Sequence, residues 1–244
     1  MARGSRRFIR RLRRKPDVAS FLGRLRRQRV VHLLHVPKTG GTAVKTALAS
    51  CRVPRDVRLV RHGHLVRLRD IPERDHVAFF IRDPVARYVS SFNDRLREGR
   101  PGHVSPWDDF ERAVFKKFPT PESLAIALSS DDPEMRAEAA RAMQGTHLLR
   151  ARLTDWLGDP DFLRSRRHQI LLVGQQEMLE ADFGRMKSML GITSRCELPT
   201  DKNAHRAPGT QAVTLSEEAA ATMREWFALD QELIDICLED VAPS

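Results

Sequence analysis

Val30-Val-His-Leu-Leu-His-Val36, Pro37-Lys-Thr-Gly-Gly-Thr42 and Ala43-Val-Lys-Thr-Ala-Leu-Ala-Ser50 run consecutively, and their reading decides the fold. The first part is a short apolar run with β-branched residues, bounded by Pro37, as in a buried strand. In the third part Val44, Ala47, Leu48 and then Cys51 recur at helical spacing. Between them lies a tight loop with two glycines, one lysine and two threonines. Glycine lets the backbone take positive φ and approach a ligand closely. A loop that feeds a helix N-terminus aims N–H groups and the positive end of the helix dipole at an anion. Lys38 adds a charge, and Thr39 and Thr42 add hydroxyls. The stretch predicts a strand, a phosphate or sulfate cradle and a helix. It is not a Walker A loop, which needs the lysine after the glycines, in GxxxxGK[ST]. Here Lys38 precedes Gly40 and Gly41, which suggests an adenine nucleotide whose chemistry needs no metal-held triphosphate.

Outward from this stretch, further strands are expected at Val57–Val60, His76–Ile81 and Gln169–Val173. After the second comes His62-Gly63-His64. In an extended segment His62 and His64 point to the same side. No further metal ligand is suggested by the spacing, so a metal site is not expected. The third strand runs into Arg82-Asp83-Pro84, where Asp83 suits a helix N-cap and Pro84 the first helical position. Arg82 stands at the strand end and Ser90 about two turns into the helix. Helical spacing also marks Trp107–Lys117, Glu122–Leu128 and Pro133–Leu153, read as a packed helical layer. A helix follows the fourth strand and closes at Gly191. A loop then carries Lys202, Asn203, His205 and Arg206, and Thr214-Leu-Ser-Glu217 is a capping box that opens a last amphipathic helix.

The chain has 244 residues, 30% charged and 41% hydrophobic, enough for one sizeable α/β domain. Its net charge of +10 is uneven. Residues 1–29 hold twelve Lys/Arg against one Asp, whereas the other 215 residues hold thirty against thirty-one. A basic arm at 1–29 thus precedes a nearly neutral domain at 30–244. Within the arm Phe8, Ile9 and Leu12 share one helical face, and Val18, Phe21, Leu22 and Leu25 share another after Pro16. Such a segment suits an anionic membrane surface, non-specific nucleic-acid contact or packing on the domain. No apolar run approaches the ~20 residues of a membrane span. The three cysteines have no CxxC spacing and an odd count, so no disulfide and no zinc site are expected, and a cytoplasmic setting fits.

PKTGGT after a strand, and IRDPVARYVSSF some forty residues on, resemble the two nucleotide motifs of the sulfotransferases. The later pattern VGQQEMLEADFGRMKSMLG…LSEEAAATMREWFALD is also similar to that family, and the resemblance covers roughly residues 30–240. It is closest to the carbohydrate type. His62-Gly63-His64 resembles the catalytic segment of the uronyl 2-O-sulfotransferases. The resemblance implies a P-loop-like short parallel sheet with helices on both faces, as a single domain with helical insertions. It implies PAPS (3′-phosphoadenosine 5′-phosphosulfate) as cosubstrate and no metal. Pro37, Lys38, Thr39, Gly40, Gly41 and Thr42 would hold the 5′-phosphosulfate, and Arg82 and Ser90 the 3′-phosphate. His64 would be the base with His62 as helper, and Lys202 and Arg206 would close over the nucleotide. The acceptor would be a hydroxyl, on a glycan or glycolipid.

The residue types suit that chemistry. A hydroxyl needs a base near neutral pKa, and histidine fits. Charge develops on the oxygen bridging sulfur and phosphate, where Lys38 and the loop N–H groups are expected. Two other readings compete. One is a kinase-like phosphotransferase on a related nucleotide fold, and the other a non-catalytic membrane or nucleic-acid binding module built on the basic arm.

Overall fold

The computed structural model describes residues 15–101, 104–199 and 214–239. Its centre is a four-stranded, all-parallel sheet: β1 (Arg29–Leu33), β2 (Val57–Arg61), β3 (His76–Ile81) and β4 (Ile170–Gln175), in the order β2-β1-β3-β4. All four strands predicted from sequence are present. Continuous apolar runs serve here because both faces of the sheet are covered by helices. The fold is α/β, a short P-loop-like parallel sheet.

The chain divides into two compact units, residues 1–81 with 153–200 and 235–244, and residues 82–152 with 201–234. Among the described residues the first holds the sheet and five α-helices wholly within it: α1 (Pro16–Leu25), α2 (Gly41–Ser50), and, past β3, α7 (Thr154–Leu157) and α8 (Pro160–Ser165), with α9 (Leu179–Met189) after β4. One sheet face, through Val31, Leu33, Ala78, Phe80 and Leu172, packs on Val44, Ala47 and Leu48 of α2 and on Phe183 and Met186 of α9. The other face packs on α1, where Ala19 meets Val30 and Val60.

One sequence expectation is corrected in this unit. Cys51 and Cys196 form a disulfide, with Cα atoms 5.5 Å apart across 145 residues of sequence. Spacing could not show it, because the pairing arises from α2 and α9 packing on one sheet face. It also removes the argument from unpaired cysteines for a reducing compartment. Only Cys237 remains as a thiol, and it is buried. Of the readings open for the basic arm, packing on the domain describes Pro16–Leu25, which meets the sheet by its small residues, Ala19, Ser20 and Gly23. A Cβ on Gly23 would lie 2.2 Å from Val30, so this close approach needs glycine. Phe21 and Leu25, which share one face of this helix, are 58% and 71% exposed. Residues 1–14 lie outside the described residues. Among the described residues no helix is long and apolar enough to cross a membrane, a fact that carries no compartment.

The second unit contains α3 (Pro84–Leu96), α4 (Asp109–Lys117), α5 (Pro121–Leu128), α6 (Pro133–Gly145) and α10 (Glu217–Trp226), while α11 (Ala228–Leu238) begins in it. It has its own core, including Tyr88, Phe92, Phe115, Leu124, Met143, Met223 and Phe227. The helical layer read from sequence is thus a compact unit that also takes in the late helix. Asp83, Asp108, Thr120, Asp132 and Ser216 each cap a helix by accepting a first-turn N–H; the capping box read at Thr214–Glu217 is corrected, since Ser216 is the cap and Glu217 the first helical residue. The helix expected to run to Leu153 ends at Gly145, where the chain turns extended at Thr146. Buried charge is paired: Arg87 donates to Asp230 (2.8 Å), and Arg95 clasps Glu111 through two nitrogens.

Candidate functional site

The strand order reverses between β1 and β3, and the Pro37–Thr42 loop leaves β1 at its C-terminal end beside that point. In parallel α/β sheets this is where ligands bind. The loop has the backbone of an anion cradle. Lys38 (φ 66°) and Gly40 (φ 82°) are both left-handed. For a lysine this conformation costs about 1 kcal/mol, and such strain concentrates at ligand clamps. Thr39 is buried, and its hydroxyl donates to Val36 O at 3.0 Å. That hydroxyl hydrogen therefore ties the loop to itself. Gly40 is the N-cap of α2, so the cap position offers no side chain to the first-turn N–H groups, and the first turn carries no acidic residue. In contrast α3, α4, α5, α6 and α10 each spend a capping side chain there.

Against this loop lies a cluster of histidines. Gly41 is needed for it, because a Cβ there would come 2.4 Å from the His35 ring. The His35 ring packs in turn on the ring of His64, with centroids 3.9 Å apart. His64 Nδ1–H donates to His35 O at 3.0 Å, which leaves the lone pair on Nε2. His64 is exposed, and Trp156 Nε1–H holds its carbonyl at 2.8 Å. Lys45, on α2, donates to His35 Nδ1 (2.8 Å) and to His62 O (3.2 Å). Burial first, then the charges of His64 and Lys45, push the His35 pKa down to about 3. His35 is therefore a neutral spacer between the cradle and the exposed His64 ring.

His62 sits differently. It is 3% exposed, and its Nε2 lies 2.8 Å from His32 Nδ1. His32 Nε2 lies 3.0 Å from Asp75 Oδ2, and Ser20 donates to Asp75 Oδ1 at 3.1 Å. The parallel register explains the grouping. His32 pairs with Val60, so His62, two residues on, shares its sheet face.

The structure thus brings Lys38, Thr39, Gly40, Gly41, Thr42, His62 and His64 into one unit with Pro37, which is buried. Arg82 directly follows β3 and Ser90 is half-buried on α3; both belong to the second unit. Lys202 and Arg206 lie outside the described residues. Sequence reasoning passed over His32, His35, Lys45 and Asp75. The available signal was two histidines inside an otherwise apolar strand, at a cost that only partners can offset. Compared with protein-family models and with curated proteins, the chain matches none.

Proposed function

We propose that the protein is a sulfotransferase that moves a sulfuryl group from PAPS to a hydroxyl acceptor, on a carbohydrate. One observation carries this reading: an anion cradle and a base-competent imidazole share one small cluster, with His35 packed between Gly41 and His64. The uncapped α2 N-terminus and the two left-handed residues fit the 5′-phosphosulfate group. When bound, PAPS supplies the transferable sulfuryl group. The backbone N–H groups of Gly40, Gly41 and Thr42 and the Lys38 ammonium stabilise negative charge at the leaving oxygen. His64 takes the acceptor's proton at Nε2, while its Nδ1–H stays on His35 O. Arg82 and Ser90 take the 3′-phosphate by resemblance, and the acceptor is a glycan or glycolipid hydroxyl on the same ground.

The test is mass spectrometry of products after incubation with PAPS and a panel of hydroxyl acceptors, without divalent metal. Mass gain by one sulfuryl group is expected. Transfer that requires Mg²⁺ and ATP would establish the kinase-like alternative instead. Exposed Phe21 and Leu25 on α1, flanked by exposed Arg24, Arg26 and Arg27, support a second element of the reading, peripheral contact with an anionic membrane.

A further inference from the structure

Among the described residues β4 is the outer strand of the sheet, with β3 as its neighbour. A cavity of about 700 Å³ is lined by its consecutive residues Ile170, Leu171, Leu172 and Val173, all within the first unit. Successive strand side chains point to opposite sheet faces, so a cavity that touches all four lies along the edge of the strand. Met189 of α9 and Cys237 of α11 add to the apolar wall. Burial pushes the Cys237 thiol up to about 12, against the opposing charge of Arg167, so this wall stays neutral at physiological pH.

Both charged residues that line the cavity are cations, Arg167 and Arg185. Arg167 Nη1 donates to the carbonyls of Ile236 (3.2 Å) and Cys237 (3.1 Å), at the end of α11. Arg185 Nε faces Asp182 Oδ1 at 3.1 Å, and its Nη2 donates to Val173 O at 3.2 Å. Those contacts take two of the five N–H donors of the guanidinium, and the side chain stays 45% exposed. Asp182 itself is 5% exposed and also accepts the Gln175 N–H at 2.6 Å. Small-molecule sites share this make-up: a volume of about 300–1,000 Å³, mostly apolar walls and a few placed polar groups. The Arg185 guanidinium on the Val173 carbonyl obstructs the other use of a strand edge, pairing with a further strand.

We propose that this cavity binds a single-chain amphiphile with a monoanionic head, a long-chain carboxylate. Its tail lies along Ile170–Val173, and its head is held by Arg185. A planar carboxylate matches the guanidinium fork, and the charge of Arg167 on the same cavity favours an anion over a cation. No residue of the Pro37–Thr42 loop or of the histidine cluster lines the cavity. The site is therefore separate from the one proposed for sulfotransfer and stands without it.

The test is calorimetry of the unaltered full chain with dodecanoate below its micellar concentration and without vesicles, beside dodecyltrimethylammonium and butanoate. Saturable binding of one dodecanoate is expected, with the cation and the short acid at least about tenfold weaker. In a ¹H–¹³C methyl spectrum the signals of Ile170, Leu171 and Met189 should move with dodecanoate, while Val18 and Ala19 of α1 stay. Arg185→Gln should weaken dodecanoate binding about tenfold. Ser188→Trp, at an exposed position on the cavity wall, should abolish it, with the denaturation midpoint unchanged in both variants. Equal affinities for dodecanoate and dodecyltrimethylammonium, no binding, or shifts confined to α1 would overturn the proposal. So would β4 methyl shifts that follow protein concentration with no amphiphile present, which would assign the edge to a second copy of this chain.

Discussion

At the scale of single residues, position relative to solvent separates two histidines that sequence treats alike. His64 is exposed, with Nδ1 tied to a carbonyl and Nε2 left as the acceptor. His64→Ala should therefore lower kcat about 10²–10⁴-fold, the usual contribution of a positioned base, with nucleotide affinity unchanged. Single-turnover sulfation beside calorimetry checks this, and near-normal turnover would move the base elsewhere. Arg82 carries a separate expectation. If it holds a 3′-phosphate, 3′-phosphoadenosine 5′-phosphate should bind far better than AMP. Arg82→Ala should then cost about 1.5–3 kcal/mol of that binding, as for a hydrogen bond to a charged group. Equal calorimetric affinities for the two nucleotides would remove the role.

Among elements, the clearest structural addition is the Cys51–Cys196 disulfide. It ties the end of α2, the cradle helix, to the segment beyond α9. A link across 145 residues restricts the unfolded chain strongly, by about 4–5 kcal/mol on the loop-closure estimate. Reduction, or Cys51→Ser with Cys196→Ser, should lower the denaturation midpoint accordingly. An unchanged midpoint in a chain whose thiols are shown by mass to be free would mean that α2 and α9 are held by packing alone. The α1 helix shows the limit of hydrophobic periodicity. Val18, Phe21, Leu22 and Leu25 make an apolar pattern, yet the helix docks by Ala19, Ser20 and Gly23. Close backbone approach to Val30 decided that side, and periodicity does not register small residues as a packing face.

For the whole molecule, buried histidines make stability depend on pH. The His35 pKa falls from 6.5 to about 3 on folding, chiefly by burial, and that of His32 falls as well. Between those values the unfolded chain binds protons that the folded chain refuses. Stability from this source is complete above pH 6.5 and is lost as pH falls toward about 3. Denaturant midpoints should decline on acidification from neutrality, and His35→Gln should flatten part of the slope. A slope unaffected by that change would assign the acid sensitivity to carboxylates. Charge distribution gives a second expectation at this scale. Vesicles containing phosphatidylserine should bind the chain, less so as salt rises, and Phe21→Ser with Leu25→Ser should weaken the contact. Equal binding to neutral vesicles would deny the basic segment any part in it.

By itself the sequence determined the four strands, most helix starts and the loop Pro37–Thr42. These depend on local signals: apolar runs, capping residues, and glycines where φ is positive, as at Gly40. It did not reveal that His32 and His35 belong to the same cluster as His62 and His64, that Asp75 closes the line behind them, or that Cys51 meets Cys196. Nor did it separate the helical layer into a unit with its own core. Each of these depends on which residues a parallel register sets side by side, as His32 with Val60, and on which helices share a sheet face. Such pairings join positions tens of residues apart, and no pattern within one strand or one helix encodes them.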